Sequence, residues 1–536
     1  MQRSRTGLVA LAAKFLCQLS FFFCLTLAVF PLFSFFSCSQ KNREEGYVYY
    51  RINANPTTLD PALIVDVAGG TIAAKLFNGL VRLDDALRPM PDIAESWTIS
   101  EDGLVYTFKL HKDVLYSTKQ HVTASDVKYS FKRVLDPKTR SPNTWVLEKI
   151  AGAKDFIQGR ADDVRGIRVL GEHTIEIRLE KPFSPFLSLL TMPAAYVVPE
   201  EETTRRGPDF SINPVGTGPF LLEEWLPNRH VRLLRRDDYF DKRPKIRGIV
   251  YRVIPEELTA ATEFELGNLD VLSVPATEFS KYRNDARWRP LLSSAEGINT
   301  YYIGLNCSRP PFSNAYLRRA MNYAIDRRKL LSTYYEGRGR IAAGPVPDVL
   351  RTWDGPVPYE YNPAKAREIV AGEGMTGLKI RFYISSDQEV VDIAEFIQSY
   401  GMKAGLKIEI TQLEWSAYKE AVNKGEADMF WLSWWADYPD PEDFLFPLFH
   451  SSNRGPAGNR AQYRNPEVDR LIEQGQAAGS ERQRRIYYET AERIIVQEAP
   501  WVFFWHKTDY TLRQPWIRDY RMYPIYSMDK GTEIHY

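Results

Sequence analysis

Between residues 378 and 410 the chain reads as strand, helix, strand. Leu378-Lys379-Ile380-Arg381-Phe382-Tyr383 alternates apolar and polar residues. Asp392 to Met402 carries the spacing of an amphipathic helix, and Leu406-Lys407-Ile408-Glu409-Ile410 alternates again. A helix between two such strands covers a sheet face, so this order points to an α/β fold. Tyr47 to Ile52 reads as a first strand. Val105 to Leu110 and Thr174 to Leu179 alternate as half-buried strands do. Arg318 to Leu331 reads as one helix with Asn314 as its N-cap. Val215-Gly216-Thr217-Gly218-Pro219-Phe220 reads as a tight turn entering a strand, its glycines admitting unusual φ values. It lacks the Lys-Ser/Thr pair and following helix of a phosphate loop.

The chain has 536 residues and a formal net charge of +1, so no basic surplus exists to neutralise phosphates and no nucleic-acid partner is expected. Its length allows roughly two to four domains. Arg3, Arg5 and Lys14 precede an almost wholly apolar run at 15–37. Ser37-Cys38-Ser39-Gln40 then gives way to the polar Lys41-Asn42-Arg43-Glu44-Glu45. This resembles a bacterial lipoprotein signal, with 1–37 as signal peptide, 38–46 as tether and Cys38 as the lipidated N-terminus. Phe35 stands where such signals prefer Leu, and the run is long enough to span a bilayer, so an uncleaved anchor is the alternative. Either way the body is exported and membrane-tethered. Cys17 and Cys24 lie inside the apolar run, which leaves Cys307 alone in the body. It is expected to be a small buried apolar residue without a disulfide.

Trp434-Trp435-Ala436-Asp437-Tyr438-Pro439-Asp440-Pro441 sits in an aromatic run from Phe430 to Phe449 that also holds Glu442 and Asp443. Aromatic residues fill cores as readily as pockets. A carboxylate among indoles nevertheless suits a cationic head, because the rings exclude water and the pairing then acts at lower effective dielectric. The α-ammonium of a peptide is such a head.

Taken in order, several segments resemble the family 5 solute-binding proteins of ABC importers, the oligopeptide- and dipeptide-binding lipoproteins. Thr58-Leu59-Asp60-Pro61 with Leu76-Phe77-Asn78-Gly79-Leu80 is similar to the opening motif. Pro91 to Trp97, Asp102-Gly103 and Thr123-Ala124-Ser125-Asp126-Val127 match the next block. Gly216 to Phe220 with Asp238-Tyr239-Phe240 follows, then Leu266 to Asp270, Asn306 and Pro310-Pro311-Phe312. Arg318-Arg319-Ala320, Ala324 to Arg327, Trp434 to Pro441 and Tyr463 to Asp469 close the series. Each motif alone is weak; their order over 47–536 is specific. The resemblance implies an α/β, periplasmic-binding-protein-like, two-lobe venus-flytrap fold with an inserted domain. Lobe I would take 47–78, 213–298 and 508–536, the insertion 79–212, and lobe II 299–507.

The resemblance also implies site residues. Asp437 matches the Asp that pairs with the ligand α-ammonium, with Tyr438 beside it. Trp434 matches a Trp that packs on ligand side chains, and Trp415 aligns with a second pocket Trp. Val67 falls where a segment pairs with ligand backbone, which would give side-chain tolerance. Two family arginines are missing: Trp431 and Val422 stand in their places, so the partner of the ligand carboxylate is unassigned. Arg338, Arg340, Arg381, Lys419 and Lys424 are available but read as solvated surface. Glu389 lies where some relatives have a ligand-facing His, which points to a basic group on the ligand.

The implied function is capture of short peptides by lobe closure and delivery to an ABC permease, with no cofactor and no metal. The alternatives are another solute (a peptidoglycan-derived peptide, glutathione, haem or a metal chelate) or a membrane-tethered sensor. No His-Glu-x-x-His or Gly-x-Ser-x-Gly occurs and the seven His are scattered, so an enzyme is not expected, although paired-carboxylate catalysis stays open on sequence.

Overall fold

Val48, Tyr49 and Ile52 are buried along Tyr47–Ile52, and a strand covered on both faces is suited to parallel pairing. It runs parallel to Gly248–Val253, which continues antiparallel through His230–Arg235 to Phe220–Leu226. The computed structural model describes residues 43–351 and 357–536, so the signal peptide expected at 1–37 and Cys38 lie outside the described residues. From Gly46 to Tyr536 the chain forms one compact unit.

A larger sheet holds Val271–Ser273, Trp501–Arg513, Asn299–Leu305, Met429–Trp435, Lys379–Ser385 and Lys407–Leu413, in that order. Lys379–Ser385 and Lys407–Leu413 are parallel and joined by the helix Gln388–Lys403, as their sequence pattern requires. Ala94–Ile99, Val105–Leu110, Thr174–Arg178 and Ile167–Gly171 form a separate antiparallel sheet. Trp501–Arg513 runs unbroken past residue 507. Its first half pairs with Asn299–Leu305 and its second half with Leu292–Glu296 and Val271–Ser273. Among the described residues no helix is long and apolar enough to cross a membrane.

Two expectations are corrected. The helix expected over 318–331 is two helices, Ala315–Ala324 and Arg327–Tyr334. Ile325 is extended between them, and the Asp326 carboxylate caps the second by accepting from Lys329 N–H at 3.0 Å. Asn314 caps the first, as expected. The glycines before Phe220 are not needed for left-handed φ. A Cβ on Gly216 would stand 2.1 Å from the Leu76 carbonyl oxygen, and one on Gly218 2.3 Å from that of Lys75. Glycine is required there because two backbones touch.

The strand Met429–Trp435 separates two cores. Trp431 packs with Ile303 and Trp505 on one face, while Phe430 and Leu432 pack with Tyr302 and Trp501 on the other. Successive side chains point to opposite faces. Trp434 therefore packs against the second core, and Trp435 meets Tyr301 on the first face, ring centroids 6.5 Å apart.

Candidate functional site

Beyond Trp435 the strand ends and the chain turns into the helix Glu442–Phe449. The turn is held from within. Asp440 N–H donates to the Tyr438 carbonyl at 2.9 Å, and the Asp440 carboxylate accepts from Glu442 N–H at 2.9 Å. Asp440 is also paired with Arg484 in the interior. This rigid loop presents Asp437. Its backbone N–H donates to Asp443 Oδ2 at 2.9 Å, and the Trp434 indole N–H donates to the same oxygen at 3.3 Å.

The Asp437 side chain is exposed, yet desolvation by the surrounding protein raises its pKa. Asp443, 2% exposed, has its pKa pushed well up, first by burial and then by the charge of Asp437. Tyr438 is buried, donates its hydroxyl to Glu442 and sets its ring 6.3 Å from that of Trp145. The Tyr526 phenol feels both Asp437 and Asp66; burial and then these two charges push it up to about 12.

Asp66 caps the helix Val67–Leu76, accepting from Gly69 N–H at 2.7 Å. Val67 is thus the exposed first residue of a helix and not part of a strand. Its N–H and that of Ala68 have no partner within the helix, so they can donate to an incoming oxygen. Trp415 also opens a helix, Trp415–Asn423, half of its surface exposed, with Lys419 Nζ 5.4 Å from its ring centre. Glu389, exposed near the start of Gln388–Lys403, accepts from the Tyr335 hydroxyl. The Tyr335 ring packs against Trp505 at 5.1 Å and Tyr301 at 6.3 Å. The structure therefore joins Trp434, Asp437 and Tyr438 in one acidic aromatic loop, with Tyr526 between it and the Asp66–Val67 corner. Glu389 belongs to a second aromatic cluster, on the other face of the strand.

Of the five cations read as surface, Arg338 is a correction. It is 4% exposed and donates from Nε to the Tyr335 carbonyl at 3.1 Å, because a carbonyl at the helix end and the Phe279 face accept its guanidinium. Arg381 is held by Asp428 at 2.8 Å, Arg340 by Glu296 at 2.6 Å and Lys424 by Glu420 at 2.6 Å. Lys419 has no carboxylate partner among the described residues, and burial followed by the charge of Arg460 lowers its pKa. Trp431 and Val422 are buried in the two cores. Cys307 is half-buried, its thiol pushed up to about 11 by burial. Among the described residues no group of three His, Cys, Asp or Glu side chains could hold a metal ion. Sequence reasoning named Asp443 in the acidic run but gave it no role. It missed Tyr526, Tyr301 and Tyr335, which long-range folding brings to the site and no local motif marks.

Residues 88–456 match the bacterial extracellular solute-binding proteins, family 5, and the chain belongs to this family. It is 28% identical to heme-binding protein A of Haemophilus influenzae, covering 91% of this chain and 92% of that protein. It is also 28% identical to a probable di/tripeptide-binding protein of Pseudomonas aeruginosa, covering 85% and 89%. Among solved structures, the periplasmic murein tripeptide binding protein MppA in its unliganded open form superposes with a TM-score of 0.80 at 25% identity, over 92% of this chain and 98% of that one. The fold is that of the periplasmic binding proteins.

Proposed function

We propose that this protein is the extracytoplasmic solute-binding component of an ABC peptide importer, tethered to the cell membrane through lipidated Cys38. The observation that carries the reading is Asp437: an exposed carboxylate beside Trp434, with no cationic partner among the described residues. Such a group is stabilised by a ligand ammonium. Val67 and Ala68 supply backbone donors for a peptide carbonyl. Lys419 beside Trp415 is the cation best placed for the ligand carboxylate, because the other four candidates are committed elsewhere. Glu389 and the aromatic cluster around it suit a basic side chain. The binding activities named for two relatives, a di/tripeptide and a murein tripeptide, support a short peptide as ligand.

The mechanism is capture and closure. Lobe I comprises 47–78, 213–298 and 508–536, the insertion 79–212 and lobe II 299–507, and Trp501–Arg513 connects the lobes. Ligand favours the closed state because that state makes contacts from both sides, and the closed form docks on a permease. No chemistry on the ligand is required. Native mass spectrometry of residues 39–536, purified without refolding, tests this. Short peptides released on activation are expected. An empty protein or a bound non-peptide would overturn peptide capture.

A further inference from the structure

Val81–Leu83 and Pro89–Pro91 pair as a hairpin, and together with the C-terminal stretch 519–534 they enclose a cavity of about 280 Å³ against Tyr50. None of the residues around Asp437 lines it. Its wall carries six carboxylates, and each has a cationic partner. Asp241 pairs with Arg82 at 2.5 Å, Glu533 with Lys242 at 2.8 Å and Asp85 with Arg521 at 3.0 Å. Asp529 pairs with the buried Lys75 at 2.9 Å, Asp84 with Arg88 at 2.8 Å and Asp519 with Lys245 at 3.3 Å. Lys530 is the cation of the wall that this pairing leaves over. It is 8% exposed, and its ammonium donates to the Phe77 carbonyl at 2.8 Å. An ammonium has three N–H donors, and no carboxylate pairs with this one among the described residues. A buried cation without a counterion is costly, so the cavity beside it suits an anion.

We infer that this cavity binds a small monoanion, a carboxylate with a short apolar body, and that the Lys530 ammonium holds its charge. One surplus cation calls for one negative charge. Leu83, Met90, Met528 and Ile534 give the wall apolar surface. The cavity's 280 Å³ is several times the roughly 30 Å³ share of one water molecule, so room remains beyond a carboxylate group. The phenols of Tyr50, Tyr520 and Tyr523 stand on the same wall. Burial raises the pKa of each, so each keeps its O–H at neutral pH. The site does not depend on what Asp437 binds.

The charged groups facing Lys530 are Asp92, Arg82, Lys75 and Asp241. Arg82 and Asp241 hold each other, and Lys75 is held by Asp529. Asp92 is the internal rival for the ammonium. Its Oδ1 accepts from the Asn78 amide at 2.7 Å, while Oδ2 has no hydrogen-bond partner among the described residues. Burial raises the Asp92 pKa in spite of Lys530 and Arg82, which makes it a poor counterion. Burial, opposed by Asp92, lowers the Lys530 pKa to about 8. A bound carboxylate raises it again, so binding draws on the protonated amine.

Calorimetry of the full chain with butyrate, its neutral isostere butyramide and inorganic phosphate, at constant ionic strength, tests this. Butyrate is expected to bind, and butyramide and phosphate are not. Affinity for butyrate should be flat up to about pH 8 and fall about tenfold per pH unit above it, as the free amine loses its proton. Lys530→Met should weaken butyrate about 10- to 100-fold, the worth of a hydrogen bond to a charged group. Absence of butyrate binding overturns the inference, as do equal binding of butyramide, binding of phosphate in place of butyrate, and unchanged affinity in Lys530→Met. A pH profile that stays flat well above 8 overturns it too, and the wild-type titrations decide even where the variant fails to fold.

Discussion

Asp437 is tied to the fold through its backbone N–H, and its carboxylate is left for something else. Asp437→Asn keeps that N–H and removes the charge. Affinity for a free-amine peptide is expected to fall about 10- to 100-fold, the 1.5–3 kcal/mol of a hydrogen bond to a charged group, by calorimetry. Because the folded state raises the Asp437 pKa, ionisation there costs stability as pH climbs above the ordinary carboxylate value. The variant should therefore melt no lower than wild type at neutral pH, and a drop in both Tm and affinity would assign Asp437 to structure. Gly216 illustrates a residue whose type was legible and whose reason was not. Glycine in a turn motif suggests unusual φ, whereas the structure shows a Cβ position 2.1 Å from the Leu76 carbonyl oxygen. Gly216→Ala should cost about 1–3 kcal/mol in urea unfolding, since the backbone of the neighbouring segment has to move. A cost near zero would mean that the contact relaxes freely.

Local pattern found the strands and the covering helix of 378–413, because alternation and amphipathic spacing are properties of adjacent residues. It merged Ala315–Ala324 with Arg327–Tyr334, because the apolar spacing carries through the break. The break depends on the Asp326 cap and on Arg327, which buries its guanidinium against the carbonyls of Phe503 and Tyr359 far along the chain. The helix Glu442–Phe449 holds a titratable group of the same hidden kind. Burial, with Asp440 adding to it against the Tyr438 hydrogen bond, pushes Glu442 up to about 7 from 4.5. The native state then holds this proton more tightly than the unfolded chain. The stability it contributes is complete below about pH 4.5 and is lost as pH rises through about 7. Glu442→Gln should remove that loss, up to about 3 kcal/mol, so that the variant gains on wild type as pH rises. Parallel stability–pH curves for the two proteins would show that Glu442 does not titrate there.

At the scale of the whole molecule, the sequence could be read for a two-lobe architecture through resemblance, but not for the contacts that bias it between states. Trp501–Arg513 belongs to both halves of the large sheet. At its middle, Lys507 N–H donates to the Asn299 side chain at 2.8 Å, and the Lys507 carbonyl accepts from Gly297 N–H at 3.0 Å. Away from this connection, the 79–212 segment touches the 299–507 segment directly. Ser184 donates from N–H to the Gln476 carbonyl at 2.7 Å and from its hydroxyl to that of Gly475 at 3.1 Å, and Trp145 packs on Tyr438. Tyr438 adjoins Asp437 in sequence, so on the proposed reading a ligand at Asp437 and the 79–212 segment that carries Trp145 act on the same loop. If that contact strengthens on closure, Trp145→Ala lowers the share of closed molecules without touching the ligand, and apparent affinity falls in proportion. An aromatic pair contributes about 0.5–1.5 kcal/mol beyond its buried area, so the expected loss is about two- to tenfold. Small-angle scattering should show the same variant contracting less than wild type at equal peptide concentration, with the difference closing at saturation. Unchanged affinity with normal contraction would place the Trp145–Tyr438 contact equally in both states and leave the connecting strand alone to set the balance.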